Sequence, residues 1–163
     1  MIYFDLDGVL RDLCGTIGIE PKSYYEQVCP DNQTVMEYLK NNEWILNEAR
    51  PTEYLEVFKV FSTWFREPVM ILSDQPEEWQ TIAIDWLVLN VFPCPRICFT
   101  SNKLEILTVE DILIEDHPHL IDYSQVLLID RSYNRKIELP HRRIYTPQQL
   151  FDILLERSYD KRK

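Results

Sequence analysis

The chain has 163 residues, enough for one domain with a full apolar core. Hydrophobic residues make up 45% and charged residues 27%, a globular balance, and no run approaches the roughly 20 apolar residues that span a bilayer. The net charge of −10 argues against a stable nucleic-acid complex, which depends on neutralising many phosphates.

The charge is uneven: residues 1–130 hold 8 Lys and Arg against 23 Asp and Glu, whereas residues 131–163 hold 9 against 4. A small anionic substrate is compatible with this surface, because a local cation or metal inverts the field inside a cleft. The basic end, Lys161-Arg162-Lys163, reads as a solvated tail. Met1 to Phe4 runs into Asp5 and Asp7 without a basic region or cleavage site, so the expected location is the cytoplasm.

In chain order, Ile2–Phe4 is the first apolar run and predicts a buried strand. The interval 13–50 carries no strand pattern, only an amphipathic helix near residues 34–39. It predicts a small helical cap, leaving 1–12 and 51–163 as the core domain. Pro51 predicts a helix start, with Tyr54, Leu55, Phe58, Phe61 and Phe65 at helical spacing through residues 51–64. A strand follows at 69–72, and Asp74-Gln75-Pro76-Glu77 opens a helix bearing Trp79, Ile82, Ala83, Trp86 and Leu87 on one face. Further strands are predicted at Ile97–Phe99, 112–114, Val126–Ile129 and, more weakly, 143–145. Thr146-Pro147 starts a last helix that turns Leu150, Phe151, Leu154 and Leu155 inward. Strands alternating with helices imply an α/β fold with a parallel sheet.

Open α/β sheets bind ligands at the carboxyl ends of their strands. The residues following these strands are Asp5-Leu6-Asp7-Gly8, Ser73-Asp74, Lys103 a little beyond Phe99, and Glu115-Asp116. Such a crowd of acids is costly unless a cation holds it together, and oxygen ligands favour magnesium over zinc. The four cysteines form no C-x-x-C pair and no zinc ligand set; they read as reduced thiols.

These residues resemble the haloacid-dehalogenase superfamily. Asp5-Leu6-Asp7-Gly8-Val9-Leu10 matches its D-x-D-G-x-[LV] motif, Ser73 its second, Lys103 its third, and Glu115-Asp116 its acidic fourth, all in the family's order. Within it the 5'(3')-deoxyribonucleotidases are most similar, through the opening as far as Arg11-Asp12, Asp111-Ile112-Leu113-Ile114-Glu115-Asp116, Tyr133-Asn134-Arg135 and Leu139-Pro140. Glu115 departs from the Asp usual there. The resemblance implies a Rossmannoid three-layer sandwich with a small helical cap inserted after the first strand. It also implies a magnesium-dependent phosphomonoesterase acting through an aspartyl-phosphate.

By that resemblance Asp5 is the nucleophile and Asp7 the acid and base. Ser73 and Lys103 bind phosphoryl oxygens. Asp5, the backbone carbonyl of Asp7, and Asp116 hold Mg2+, with Glu115 behind them. The leading expectation is a nucleotidase acting on nucleoside monophosphates as small-molecule partners. Alternatives are a phosphatase for another small phosphoester or a nucleic-acid 3' end, and a non-catalytic phosphate-binding protein of the same fold. Tyr24, Tyr25 and Trp44 in the presumed cap are candidates for stacking on a base, Trp44 first because it lies just before Pro51. Phe58, Phe61, Trp64, Phe65, Trp79 and Trp86 read as core, His117-Pro118-His119 as a turn opening a helix, and Arg131, Arg135, Lys136, Arg142 and Arg143 as a basic rim without a catalytic part.

Overall fold

Six parallel strands form the centre of the computed structural model, which describes residues 1–19, 29, 32–91, 93–120, 122–137 and 142–160. In chain order the elements are β1 (Ile2–Phe4), β2 (Arg11–Asp12), α1 (Leu13–Ile17), α2 (Val35–Asn41), α3 (Trp44–Glu48), β3 (Arg50–Pro51), α4 (Leu55–Trp64), β4 (Val69–Ser73) and α5 (Glu77–Asn90). Then come β5 (Ile97–Phe99), α6 (Lys103–Ile106), β6 (Ile112–Glu115), β7 (Val126–Ile129), β8 (Arg143–Ile144) and α7 (Pro147–Asp160). The sheet order is β5-β4-β1-β6-β7-β8. The chain winds outward from β1 through β4 to β5, then returns to the other side of β1 for β6, β7 and β8. The switch point therefore lies beside β1, where such sheets open a crevice.

Alternate side chains serve opposite faces of the sheet, as the two-residue strand period requires. Ile2, Phe4, Ile71, Ile114 and Ile129 pack with Leu55, Phe58, Phe61, Ala83, Trp86, Leu150 and Leu154 of α4, α5 and α7. Phe58 meets Phe4 edge-on at 5.1 Å between ring centres. Tyr3, Leu72, Leu113 and Val126 point the other way, beneath Met1, Leu107 and Leu120. Every strand expected from its apolar run is present. No described helix is long and apolar enough to cross a membrane.

The interval 13–50 contributes α1, α2 and α3, and its two ends meet where β2 pairs antiparallel with β3, Asp12 opposite Arg50. Thr34 caps α2 in a reciprocal capping box with Glu37, which fixes the helix start at the sequence signal. Leu13, Leu39, Ile45, Leu46 and Ala49 form a separate small core that closes on Trp79 of α5.

Two expectations are corrected. The helix predicted from Pro51 begins at Leu55, because Arg50–Pro51 is spent on the pairing with β2 and Thr52 is tied back by its N–H to the Leu10 carbonyl at 2.8 Å. Trp64 is not core: it ends α4 beyond the stacked Phe61 and Phe65 rings and is 80% exposed. His117-Pro118-His119 leads into a single 3-10 turn, Pro118–Leu120.

Candidate active site

Asp5 is the first residue past β1, and its N–H donates to the Ile114 carbonyl at 2.9 Å, extending the β1–β6 ladder by one step. That bond fixes the Asp5 backbone against the end of β6, which delivers Glu115 and then Asp116. Oxygens of Asp5, Glu115 and Asp116 come within 4.8 Å of one another, and all three side chains are buried. Lys103, the first residue of α6, lies in the loop region that follows β5. Its Nζ donates to Asp5 Oδ1 at 2.6 Å and to Glu115 Oε2 at 2.7 Å.

One lysine against three buried carboxylates leaves a charge conflict. Burial and the neighbouring charge of Glu115 push the Asp5 carboxyl up to about 8, with Lys103 pulling against them. Asp116 is driven well above the carboxylate range by burial and by the charges of Glu115 and Asp5. Burial also opposes ionisation of Glu115, but Lys103 overcomes it and the group sits below its ordinary value. Glu115 is fully engaged: Oε2 takes Lys103, and Oε1 accepts the N–H groups of Asp116 and His117 at 3.0 and 3.1 Å. Asp116 Oδ1, in contrast, is buried without a hydrogen-bond partner. A buried orphan carboxylate oxygen beside a second and third carboxylate fits a hard divalent cation. Both Glu115 oxygens are thus engaged, whereas Asp116 keeps one oxygen open within the acidic cluster.

Asp7 reaches the same crevice. Gly8 follows it at φ +81°, a left-handed turn that glycine adopts without strain. A Cβ on Gly8 would lie 2.0 Å from Asp116 Oδ2, so glycine is also required by contact. The Asp7 carboxylate is held on both oxygens by Arg11, Nε to Oδ1 at 2.6 Å and Nη2 to Oδ2 at 3.0 Å, and it accepts from Gln75 Nε2 as well. Arg11 is fully buried; its Nη1 donates to the Leu46 carbonyl in α3 at 2.8 Å, and its guanidinium lies 5.8 Å from the centre of the Trp86 ring. The cation thereby ties Asp7 to the inserted helices.

The loop after β7 supplies the remaining wall. Arg131 Nε donates to the Gly8 carbonyl at 2.8 Å, the Tyr133 hydroxyl donates to Asp116 Oδ2, and Asn134 Nδ2 donates to the Asp116 carbonyl at 2.9 Å. Burial and the Asp116 charge hold the Tyr133 phenol well above its usual range, so it stays a donor.

Asp5, Asp7, Gln75, Lys103, Asp116, Arg131 and Tyr133 line one cavity of about 700 Å³. Its floor carries Asp5, Asp7, Ser73, Lys103 and Asp116, so the structure brings together the expected nucleophile, acid, phosphate-binding and metal-binding residues. Its outer wall is apolar: Leu13, Ile19, Val35, Met36, Leu39 and Trp79. Trp44, the first sequence choice for stacking, is absent from the described lining and 57% exposed at the start of α3. The residue after it in the helical repeat, Ile45, takes the buried position instead. Tyr24 and Tyr25 lie outside the described residues.

Sequence reasoning left Arg11, Gln75, Arg131, Tyr133 and Trp79 without a site role. For Arg11 a signal existed: a cation four residues after an acid in a tight turn. Tyr133 stands out in the sequence only through the family resemblance, and helical spacing gives Trp79 the look of ordinary core.

No protein-family model matches the chain, and no curated protein matches it. Among solved structures it is similar to a Thermotoga maritima protein assigned as a candidate beta-phosphoglucomutase, with a TM-score of 0.54 at 12% identity. The match covers 95% of this chain and 98% of that one. The likeness is one of fold, a Rossmann-like α/β arrangement with a parallel sheet between helices.

Proposed function

We propose that the protein is a magnesium-dependent phosphomonoesterase of the haloacid-dehalogenase superfamily, acting through an aspartyl-phosphate on Asp5. The observation that carries this reading is the contact of Lys103 with both Asp5 and Glu115, beside the orphan oxygen of Asp116, in the cavity at the strand ends.

The Asp5 carboxyl, raised to about 8 without metal, would be ionised with Mg2+ held beside it, and a carboxylate attacks phosphorus with no base of its own. An Asp5 oxygen bonds to phosphorus while the ester oxygen departs with its electron pair and takes a proton from Asp7. Water then attacks the phosphorus of the acyl phosphate, Asp7 accepts its proton, and the Asp5 carboxylate leaves. Lys103 and Ser73 stabilise the phosphoryl oxygens; Lys103 is already placed at the attacking carboxylate. Mg2+ would be held by Asp5, the Asp7 carbonyl and Asp116, and when bound supplies the positive charge that lets an anionic nucleophile meet an anionic phosphate.

The finer reading is a 5'(3')-deoxyribonucleotidase acting on nucleoside monophosphates in the cytoplasm. Inserted segment 13–50 would then be the cap over the site. The apolar outer wall with Trp79 supports a flat, uncharged leaving group.

The test is phosphate release from a panel of nucleoside monophosphates and sugar phosphates. Turnover should require Mg2+, stop on chelation, and favour nucleotides. Asp5→Asn should lose several orders of magnitude, because an amide is a poor nucleophile. Turnover that survives exhaustive chelation, or an Asp5→Asn protein with a tenth of the parental rate, overturns the mechanism. Equal rates on sugar phosphates overturn the nucleotidase reading alone.

A further inference from the structure

Residues 130–137, which follow β7, are fixed far more firmly than a surface turn requires. Arg143 of β8, itself buried, donates to Asp130 Oδ1 at 3.1 Å, to Asn134 Oδ1 at 2.7 Å, to the Asn134 carbonyl at 2.9 Å and to the Ile137 carbonyl at 2.5 Å. Asn134, fully buried, returns its amide to the Ile129 carbonyl at 2.8 Å and to the Asp116 carbonyl at 2.9 Å. Arg131 closes the other side on the Gly8 carbonyl. The loop is thus bonded to the ends of β6 and β7 and to the turn after β1, and between those anchors it carries Tyr133.

The Tyr133 hydroxyl donates to Asp116 Oδ2, and the pair is seated against Gly8, whose missing Cβ leaves the space: a Cβ there would stand 2.0 Å from Oδ2 and 2.9 Å from the phenol oxygen. With Oδ2 occupied, the oxygen of Asp116 left over is Oδ1, buried and without a partner. A carboxylate on a strand end can rotate about its last bond, and here one of its two oxygens is held by a donor on a rigid loop.

We infer that Tyr133 is a positioning residue for the metal site: it selects Oδ1 of Asp116 as the oxygen offered to a divalent cation and prevents the carboxylate from turning. This rests on the reading of Asp5 and Asp116 as metal ligands. Outer partners that orient a ligand in this way are typically worth about 10–100-fold in metal affinity.

The test is Mn2+ binding to the substrate-free protein, by electron paramagnetic resonance or calorimetry, for the parent and for Tyr133→Phe. Phenylalanine keeps the ring and removes one oxygen, so thermal unfolding without metal should be little changed, while the Mn2+ dissociation constant should rise about 10–100-fold. Equal Mn2+ affinity in the two proteins overturns the inference while leaving the metal reading intact. A raised KM with unaltered Mn2+ affinity also overturns it, making the hydroxyl a substrate contact. A parent protein that binds no Mn2+ removes the metal reading itself, and the inference with it.

Discussion

The sheet edge and the inserted segment 13–50 bound the same cavity from opposite sides and are built on opposite principles. At the edge, charge is concentrated and desolvated: Asp5, Glu115 and Asp116 are buried together with a half-buried Lys103 between them, and each is placed by a strand end or the helix that follows it. In the insert the cavity wall is made of Leu13, Val35, Met36 and Leu39, held by their own small core. The first region is strained by its charges and needs a partner to relieve them; the second is satisfied as it stands. The difference teaches that one side of the cavity is suited to reaction and the other to selection, and that the two should respond to different perturbations.

The largest effect should come from the metal side of the edge. Asp116→Ala removes a ligand outright, whereas Glu115→Ala removes the group that orients Lys103 and should weaken Mn2+ binding by about 10–100-fold. The Asp116 variant should be the worse of the two. A reversed order of affinities would show that Glu115 contacts the ion and that the assignment of its two oxygens to Lys103 and the backbone N–H groups does not hold in the loaded protein.

A smaller effect, on stability, should separate the regions by pH. Asp5 is raised to about 8 in the fold, and Asp116 is raised in the same direction. Their unfolded values lie near 3.9, so between those limits the folded state holds more protons than the unfolded one. Stability from these groups is full below the unfolded value and is lost as pH rises through the folded value. Glu115, shifted downward, acts only below its ordinary range and lies outside this window. Metal-free protein should therefore melt at progressively lower temperature from about pH 4 to about pH 8, and Mg2+ should flatten that slope. A metal-free slope of the opposite sign would mean that Lys103 alone compensates the cluster.

The same contrast decides what was legible in the sequence. Asp5, Ser73 and Glu115-Asp116 could be read because each follows an apolar run, and a strand end in a parallel sheet places its next residue on one known edge; Lys103 lies a few residues beyond such an end. Strand bounds were equally clear: Ile97–Phe99 and Val126–Ile129 have unbroken apolar residues with polar neighbours. The insert had no such frame. Its helices are short, its stem is a two-residue strand pair, and Pro51, a good helix opener by propensity, was claimed by pairing with Arg11. Arg11 and Tyr133 escaped because their roles depend on contacts with residues brought close by the fold, Leu46 for one and Asp116 for the other.

The smallest expected effect lies in the apolar wall and distinguishes two tryptophans, Trp44 and Trp79. Trp44 is 57% exposed, whereas Trp79 is 2% exposed, lines the cavity, and is oriented by its Nε1 donating to Glu43 Oε1 at 3.1 Å. An indole edge or face at the wall acts on the part of the substrate beyond the phosphate, which the chemistry at Asp5 and Asp7 ignores. Stacking of an aromatic on a nucleobase contributes about 1–3 kcal/mol, so Trp79→Ala should raise KM for a nucleoside monophosphate by roughly 5- to 150-fold. It should leave a ring-free ester such as glycerol phosphate nearly unaffected, and Trp44→Ala should alter neither. Because Trp79 also belongs to the small core of the insert, Trp79→Phe provides the control: it keeps a ring at the wall and should retain most of the nucleotide affinity. Equal losses of Trp79→Ala on the nucleotide and on the ring-free ester would mark Trp79 as packing between the insert and α5, and the selecting wall would then have to be sought among Val35, Met36 and Leu39.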